Sequence, residues 1–361
     1  MHLLLCLFAF LLAPAAVRAA DPFVVIAYYS AGPDRVAEID ARKLTHIIYS
    51  FGHLKGNRFA IDNRKDSLTL QKLVELKKQN PALKVMVSLG GWGGCAPCSE
   101  VFSSEENRRV FSRSVRENLT YFGADGIDLD WEYPAIPGHP GHRYAPEDKP
   151  NFTDLVRKLR QELGRRAEIS FAAGGFPRFI DEAVDWTAVM PLVDRVNIMT
   201  YDLVHGFSTA TGHHTPLYST PEQRESTDAA VQALLAKGVP ARKLVIGAAF
   251  YTRMWEGVAP TNNGRYQPGT FKSSTAFRDF DKEYGPGSGF TAYWDDTARA
   301  PYLYNAAKQQ YVTYDDPRSI ALKTRYAREK GLNGIMFWEL SLDKPGGLLD
   351  TIDRTKREGA R

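Results

Sequence analysis

The sequence predicts an α/β fold: a closed (β/α)8 barrel of the TIM type with a small α+β insertion after the seventh strand. Three observations carry this. Short, β-branched apolar runs alternate with longer amphipathic stretches, the pattern of a parallel sheet with crossover helices. The runs number eight, which suits a closed barrel, although periodicity alone does not separate a barrel from an open sheet. The alternation fails once, from about Tyr251 to Pro317, where Tyr, Trp, Gly and Thr are frequent; so long a connection is rarely plain loop.

In chain order, the predicted strands are Phe23–Tyr29, Thr45–Phe51, Lys84–Ser88, Ala124–Asp130, Glu168–Ala173, Arg195–Thr200, Leu244–Phe250 and Gly334–Trp338. Apolar positions near helical spacing predict helices over Leu68–Lys78, Asn107–Leu119, Phe152–Leu163, Thr227–Ala236 and Ile320–Glu329. A barrel takes about 250 residues. An insertion over 252–317 therefore accounts for much of the rest of a barrel unit spanning 21–361.

Residues 1–20 differ in kind. An apolar run from Leu3 to Leu12 leads to Pro14 and a small-residue end, Val17-Arg18-Ala19-Ala20. This reads as a secretory leader, too short for a comfortable membrane span, which needs about 20 apolar residues. The expected location is secreted or periplasmic, with no membrane attachment after leader removal. Two cysteines then remain, Cys95 and Cys98. In an exported chain they read as a local disulfide; in a cytosolic one that spacing would serve a redox pair or half a zinc site. The net charge of +4 is spread without a long basic run, which argues against nucleic acid.

The chemistry is concentrated in Asp125-Gly126-Ile127-Asp128-Leu129-Asp130-Trp131-Glu132-Tyr133-Pro134. Strand side chains alternate between faces, so Asp128, Asp130 and Glu132 share one face and Ile127, Leu129 and Trp131 the other. The apolar set suits the layer between barrel and helices, which leaves three carboxyls pointing into the barrel. They cannot all ionise easily there, so at least one pKa must rise. The row ends at the C-terminal end of a strand, where barrel enzymes keep their chemistry. A solvated acidic edge is the bland alternative, but barrel strands are covered on both faces. A divalent-cation site is another; alternate residues of one strand converge poorly on an ion, and the histidines show no ligand spacing. His213-His214 sits in a Gly/Thr-rich loop and reads as solvated.

This segment resembles the signature of glycoside hydrolase family 18, Asp-Gly-x-Asp-x-Asp-Trp-Glu, complete from Asp125 to Glu132. Ser88-Leu89-Gly90-Gly91 is similar to the family's third-strand motif, and Met199-Thr200-Tyr201-Asp202 to its sixth-strand motif. Trp338 resembles its eighth-strand tryptophan, while Tyr251-x-Arg253 and Ala300-Pro301-Tyr302-Leu303-Tyr304 resemble parts of its chitinase insertion. The resemblance implies a retaining chitinase that hydrolyses β-1,4-linked N-acetylglucosamine polymers through an oxazolinium intermediate, with no cofactor and no metal. It implies Glu132 as proton donor, Asp130 orienting the acetamido N–H, and Asp128 sharing a proton with Asp130. Tyr201 would position the acetamido oxygen and Asp202 would hydrogen-bond the distorted sugar. It places Tyr28, Phe51, Gly91, Trp92, Tyr133, Met199, Arg253 and Trp338 at the substrate.

Chitin or chitooligosaccharides are the implied partners, and a monomer the implied state. Two alternatives stay open. A chitin-binding lectin of the same fold typically lacks the acid that Glu132 supplies here; an endo-β-N-acetylglucosaminidase usually lacks the insertion. Trp255 and Trp294 read equally well as subsite walls or as core of the insertion. Trp131 and Trp186 read as packing, and Arg253 as a substrate contact or a tie between insertion and barrel.

Overall fold

The structure, a computed structural model, describes residues 23–358; the leader read at 1–20 lies outside them. Eight parallel strands close on themselves: Val24–Tyr29, His46–Lys55, Lys84–Gly90, Gly126–Asp130, Glu168–Gly174, Arg195–Met199, Leu244–Ala249 and Gly334–Trp338. The first pairs with both the eighth and the second, which makes the sheet a barrel. All eight fall where the apolar runs predict them. The second runs beyond Phe51 into an antiparallel hairpin with Arg58–Ala60.

The period-2 alternation divides the core. Val25, Ala27 and Tyr29 join Ile127, Leu129 and Trp131 in the layer between barrel and helices. Val24, Ile26 and Tyr28 point inward with Ile48, Met86, Met199, Val245 and Met336. The helices form at their predicted places, over Arg64–Glu75, Glu105–Phe122, Asp148–Leu163, Thr227–Ala236 and Pro317–Glu329. Their ends are chemically marked: Asn63, Ser104, Ser226 and Asp316 each accept a backbone N–H of the first turn. Gly123, with φ +71°, ends the second in the left-handed region where a Cβ is disfavoured. A further helix, Leu348–Glu358, is not among those predicted. Its apolar stripe rests on Leu348, Leu349 and Ile352 amid charged residues, and docking against helix Pro317–Glu329 and the turn Ala41–Lys43 gives that stripe its partners.

Between the seventh and eighth strands lies a five-stranded antiparallel sheet, ordered Thr270–Ser273, Arg253–Glu256, Gln310–Thr313, Ala300–Asn305, Thr291–Asp295. One face packs Trp255, Tyr302, Tyr304 and Tyr311; the other packs Leu303, Val312 and Tyr314 against Tyr284. Among the described residues no helix is long and apolar enough to cross a membrane.

The bottom of the barrel is closed by charge. His46, Glu168 and Arg195 open the second, fifth and sixth strands. His46 Nε2 lies 2.9 Å from Glu168 Oε2, and Arg195 pairs with the same oxygen. Burial alone would raise the Glu168 carboxyl, but His46 and Arg195 hold it at about 2, below its ordinary 4.5. A depressed folded-state value gives stability that is complete above the unfolded pKa and lost as pH falls from about 4.5 to about 2. Glu168→Gln is therefore expected to cost about 2 kcal/mol near neutral pH and to flatten the decline of melting temperature across that acid window. Thermal melts of parent and variant from neutral pH to pH 2 check this; identical pH slopes would refute it.

Candidate active site

The fourth strand presents its acidic row at the centre of the barrel. Asp125, just before it, faces the other way, accepting Val85 N–H (2.7 Å) and pairing with Lys77 (2.5 Å), and so anchors the third strand. Asp128 is fully buried. Its Oδ2 accepts Tyr28 OH (3.1 Å) and Ser88 Oγ (2.9 Å); its Oδ1 accepts Ser170 Oγ (2.6 Å) and Asn197 Nδ2 (3.1 Å). Four donors on two oxygens fill the lone pairs of a carboxylate. Nothing is left for a cation, and no hydrogen bond joins Asp128 to Asp130. Burial raises the Asp128 pKa, and the four hydrogen bonds offset only part of the rise.

Asp130 has the opposite surroundings. Its Oδ1 is buried without a partner. Burial first, and then the charges of Glu132 and Asp128, raise its pKa well above the usual carboxylate range. Two residues on, Glu132 is packed deep in the barrel mouth but keeps an open side towards the cleft. Burial pushes its carboxyl up to about 7, with the charge of Asp202 adding to the rise and a hydrogen bond from Tyr133 opposing it. A carboxylic acid still protonated near neutral pH is what proton donation requires.

The third strand makes room for this row. Gly90 lies in register with Asp130, and a Cβ on it would sit 2.3 Å from the Asp130 carbonyl oxygen. At Gly91, φ +80°, a Cβ would sit 2.5 Å from the Phe51 ring. The Gly91 N–H already donates to Asp130 O (2.9 Å), so its part in the site is to admit Phe51. The Cys95–Cys98 disulfide follows in the same loop.

The sixth strand ends in Tyr201 and Asp202. Arg253, at the start of the inserted sheet, donates to both Asp202 oxygens, Nε to Oδ1 (2.7 Å) and Nη2 to Oδ2 (2.5 Å). The arginine is therefore a tie between sheet and barrel, and its guanidinium also lies over the Tyr251 ring, 5.0 Å from the centroid. His214 Nδ1 is 3.5 Å from Asp202 Oδ1. Burial would raise Asp202, but His214 and Arg253 hold it well below its ordinary value.

The expectation that His213-His214 is solvated is wrong: both are fully buried. His213 Nε2 meets Asp295 Oδ2 at 3.1 Å, and His214 packs on Tyr251. The inserted sheet covers a loop that its own composition marks as exposed.

Aromatic side chains line the mouth. Trp338 forms the floor, stacked with Phe51 (centroids 5.5 Å, planes 17° apart) and tilted against Tyr28 (5.8 Å). Tyr201 and Tyr133 pack against the same interior cluster, which includes Met199. Trp92, 41% exposed, stands at the rim beside Tyr133 and His139, with Phe207, 64% exposed, 6.3 Å away. Trp255 has no accessible surface and belongs to the core of the inserted sheet; Trp294 lies under Arg318, 3.7 Å from its guanidinium carbon. Full burial rules out Trp255 as a subsite wall. Trp131 and Trp186 pack in the barrel–helix layer.

Sequence reasoning missed Ser170, Asn197 and Phe207. For the first two a signal exists: each is a lone polar residue flanked by apolar ones, in Ile169-Ser170-Phe171 and Val196-Asn197-Ile198, at an inward position of its strand.

Comparison with known proteins decides the kinship. The sequence model of Glycosyl hydrolases family 18 matches residues 24–343. The chain belongs to this family. Among its family 18 relatives, Chitinase A1 of Niallia circulans is 33% identical over 93% of this chain; the match covers 59% of that protein's own length. Chitinase 1 of Aphanocladium album is 30% identical over 90% of the chain and 81% of its own length. The structure of a family 18 N-acetylglucosaminidase from Paenibacillus barengoltzii superposes with a TM-score of 0.84 at 38% identity, covering 92% of this chain and 99% of that one.

The electrostatics of this family 18 site give a direct expectation. Asp202→Asn removes the charge that adds to the Glu132 rise and frees Arg253 to lower it further, so the Glu132 pKa should fall. Carbon-13 NMR titration of the glutamate carboxyls in parent and variant measures this. An unchanged or higher value for Glu132 would contradict the assignment.

Proposed function

We propose that the chain is a retaining chitinase acting on β-1,4-linked N-acetylglucosamine polymers, with Glu132 as proton donor and the substrate's own acetamido group as nucleophile. One observation carries the reading: of the four acids, only Glu132 joins a pKa raised to about 7 with partial exposure, and none of the others is placed as a nucleophile. Asp128 has its lone pairs filled, and Asp202 is held by Arg253 on both oxygens. Asp130 sits behind Glu132 with a raised pKa, suited to hydrogen bonding rather than to nucleophilic attack. Family 18 departs from the two-carboxylate scheme in this way.

In the proposed reaction Glu132 gives its proton to the glycosidic oxygen as the bond to the anomeric carbon breaks. The acetamido oxygen closes on that carbon, held by Tyr201, while Asp130 accepts the acetamido N–H and stabilises the oxazolinium ion. Asp202 holds the distorted sugar. Water, deprotonated by Glu132, then opens the ring with retention of configuration. Trp338 supplies the floor on which a sugar's C–H face rests, and Trp92 and Phe207 extend that surface outward. A proton shared between Asp128 and Asp130 would require Asp130 to turn towards Asp128 and displace one of its four donors. Residues 1–20 are proposed as an export leader, with a secreted or periplasmic monomer as the working form.

A second reading keeps the same chemistry and changes the product. The similarity to the Paenibacillus barengoltzii N-acetylglucosaminidase favours release of single N-acetylglucosamine units. The product lengths from chitopentaose separate the two.

Three outcomes are expected. Fully acetylated oligomers are cleaved with β-anomeric products, whereas deacetylated ones resist, because an amine cannot close the oxazolinium ring. Chelator leaves the rate unchanged. Glu132→Gln lowers turnover by at least about 10²–10⁴-fold while oligosaccharide binding persists. Comparable rates on matched acetylated and deacetylated oligomers, or activity lost with chelator and restored by a divalent ion, would overturn the mechanism.

A further inference from the structure

A buried charge pair stands outside the site described so far. Lys323, on helix Pro317–Glu329, and Asp315, just after the last strand of the inserted sheet, both have side chains with no accessible surface. Lys323 Nζ donates to Asp315 Oδ1 (2.8 Å), Asp315 Oδ2 (2.6 Å) and Thr215 Oγ1 (2.5 Å), which uses all three hydrogens of an ammonium. Asp315 also accepts Ser319 Oγ (2.7 Å) and the N–H of Ala249 (3.1 Å), at the end of the seventh strand. Every polar group of the pair is satisfied. Replacing such a pair by apolar groups is often neutral or stabilising, so stability alone gives no reason for it.

What the pair touches supplies the reason. Thr215 Oγ1 receives the Lys323 hydrogen; its own single hydrogen faces the carbonyl of Thr200 (3.0 Å) and Asp315 Oδ2 (3.3 Å), and the carbonyl is the nearer acceptor. Thr200 directly precedes Tyr201 and Asp202. On the far side of the same turn, Leu203 N–H donates to the carbonyl of His214 (3.0 Å). Residues His214 and Thr215 thus grip the turn at both ends. The turn needs gripping, because Asp202 has φ +54°, a left-handed conformation that is unfavourable for a non-glycine residue and persists only where its surroundings impose it.

We propose that Lys323 is a positioning residue for the reaction: paired with Asp315, it locks the Thr215 hydroxyl against the Thr200 carbonyl and so holds the Tyr201–Asp202 turn in the cleft. This rests on the proposed role of Tyr201 and Asp202 at the sugar.

The test uses the full chain and chitotetraose. Lys323→Met combined with Asp315→Asn removes both charges and keeps an acceptor for Ala249 N–H. This variant should melt within about 5 °C of the parent. Its kcat should fall about 10- to 100-fold, as displacement of reacting groups by about 1 Å does, with KM little changed. Thr215→Val keeps the side-chain volume and loses the hydroxyl; it should reproduce the loss. Thr215→Ser keeps the hydroxyl and loses a methyl; it should retain a kcat close to parental. A role in packing alone predicts the reverse order for those two. A folded double variant with parental kcat, or a Ser variant as impaired as the Val variant, overturns the inference. If the double variant does not fold, the Thr215 pair decides. Tyr201→Phe separates this failure from that of the site itself: if it loses kcat while the Lys323 and Thr215 variants do not, only the positioning role falls.

Discussion

A carboxylate at the centre of an apolar barrel has to be compensated, and the structure is organised around how Asp128 is. Tyr28, Ser88, Ser170 and Asn197 come from the first, third, fifth and sixth strands, and each directs one donor at it. An unpaired charge there would cost far more than the barrel could offset. The cage therefore constrains register as well as chemistry. A one-residue slip in any of those strands turns its donor outward and an apolar side chain inward. Compensating Asp128 leaves Asp130 and Glu132, further along the same face, with too few donors. Burial raises their pKa values, with neighbouring carboxylates adding to the rise and few donors to oppose it.

The inserted sheet works by a second set of charges. Arg253 reaches back to Asp202 at the sheet's start, Asp315 bonds Ala249 and Lys323 at its end, and Asp295 holds His213 in between. Apolar packing orders the sheet internally, through its Trp and Tyr faces. Charge and hydrogen bonds orient it on the barrel, since such contacts have direction and hydrophobic contact has little. The seating of the inserted sheet and the geometry of Tyr201–Asp202 are in this sense one construction.

Much of this was legible in the chain. The eight apolar runs marked the eight barrel strands, and the row from Asp128 to Glu132 marked the face where charge is buried. Failures came where a residue's surroundings belong to another segment. His213 and His214 sit among Gly and Thr, the composition of an exposed loop, yet the inserted sheet covers them completely. Trp255 stands in an aromatic-rich stretch that reads equally as wall or core, and the pairing of the inserted strands buries it completely. Helix Leu348–Glu358 shows too few apolar positions to stand out before its docking partner is known.

The sequence by itself determined the barrel, the position of its interruption and the acidic face of the fourth strand. Each depends on periodicity within a few consecutive residues, and backbone geometry converts that periodicity directly into faces. Only the tertiary structure decided which acid is caged, which is left short of partners and which is clamped by arginine. The four donors of Asp128 lie 40 to 100 residues away in the chain, and Arg253 lies 51 from Asp202. Ionisation depends on what stands within a few ångströms of a carboxyl in space, and barrel closure is what brings those groups together.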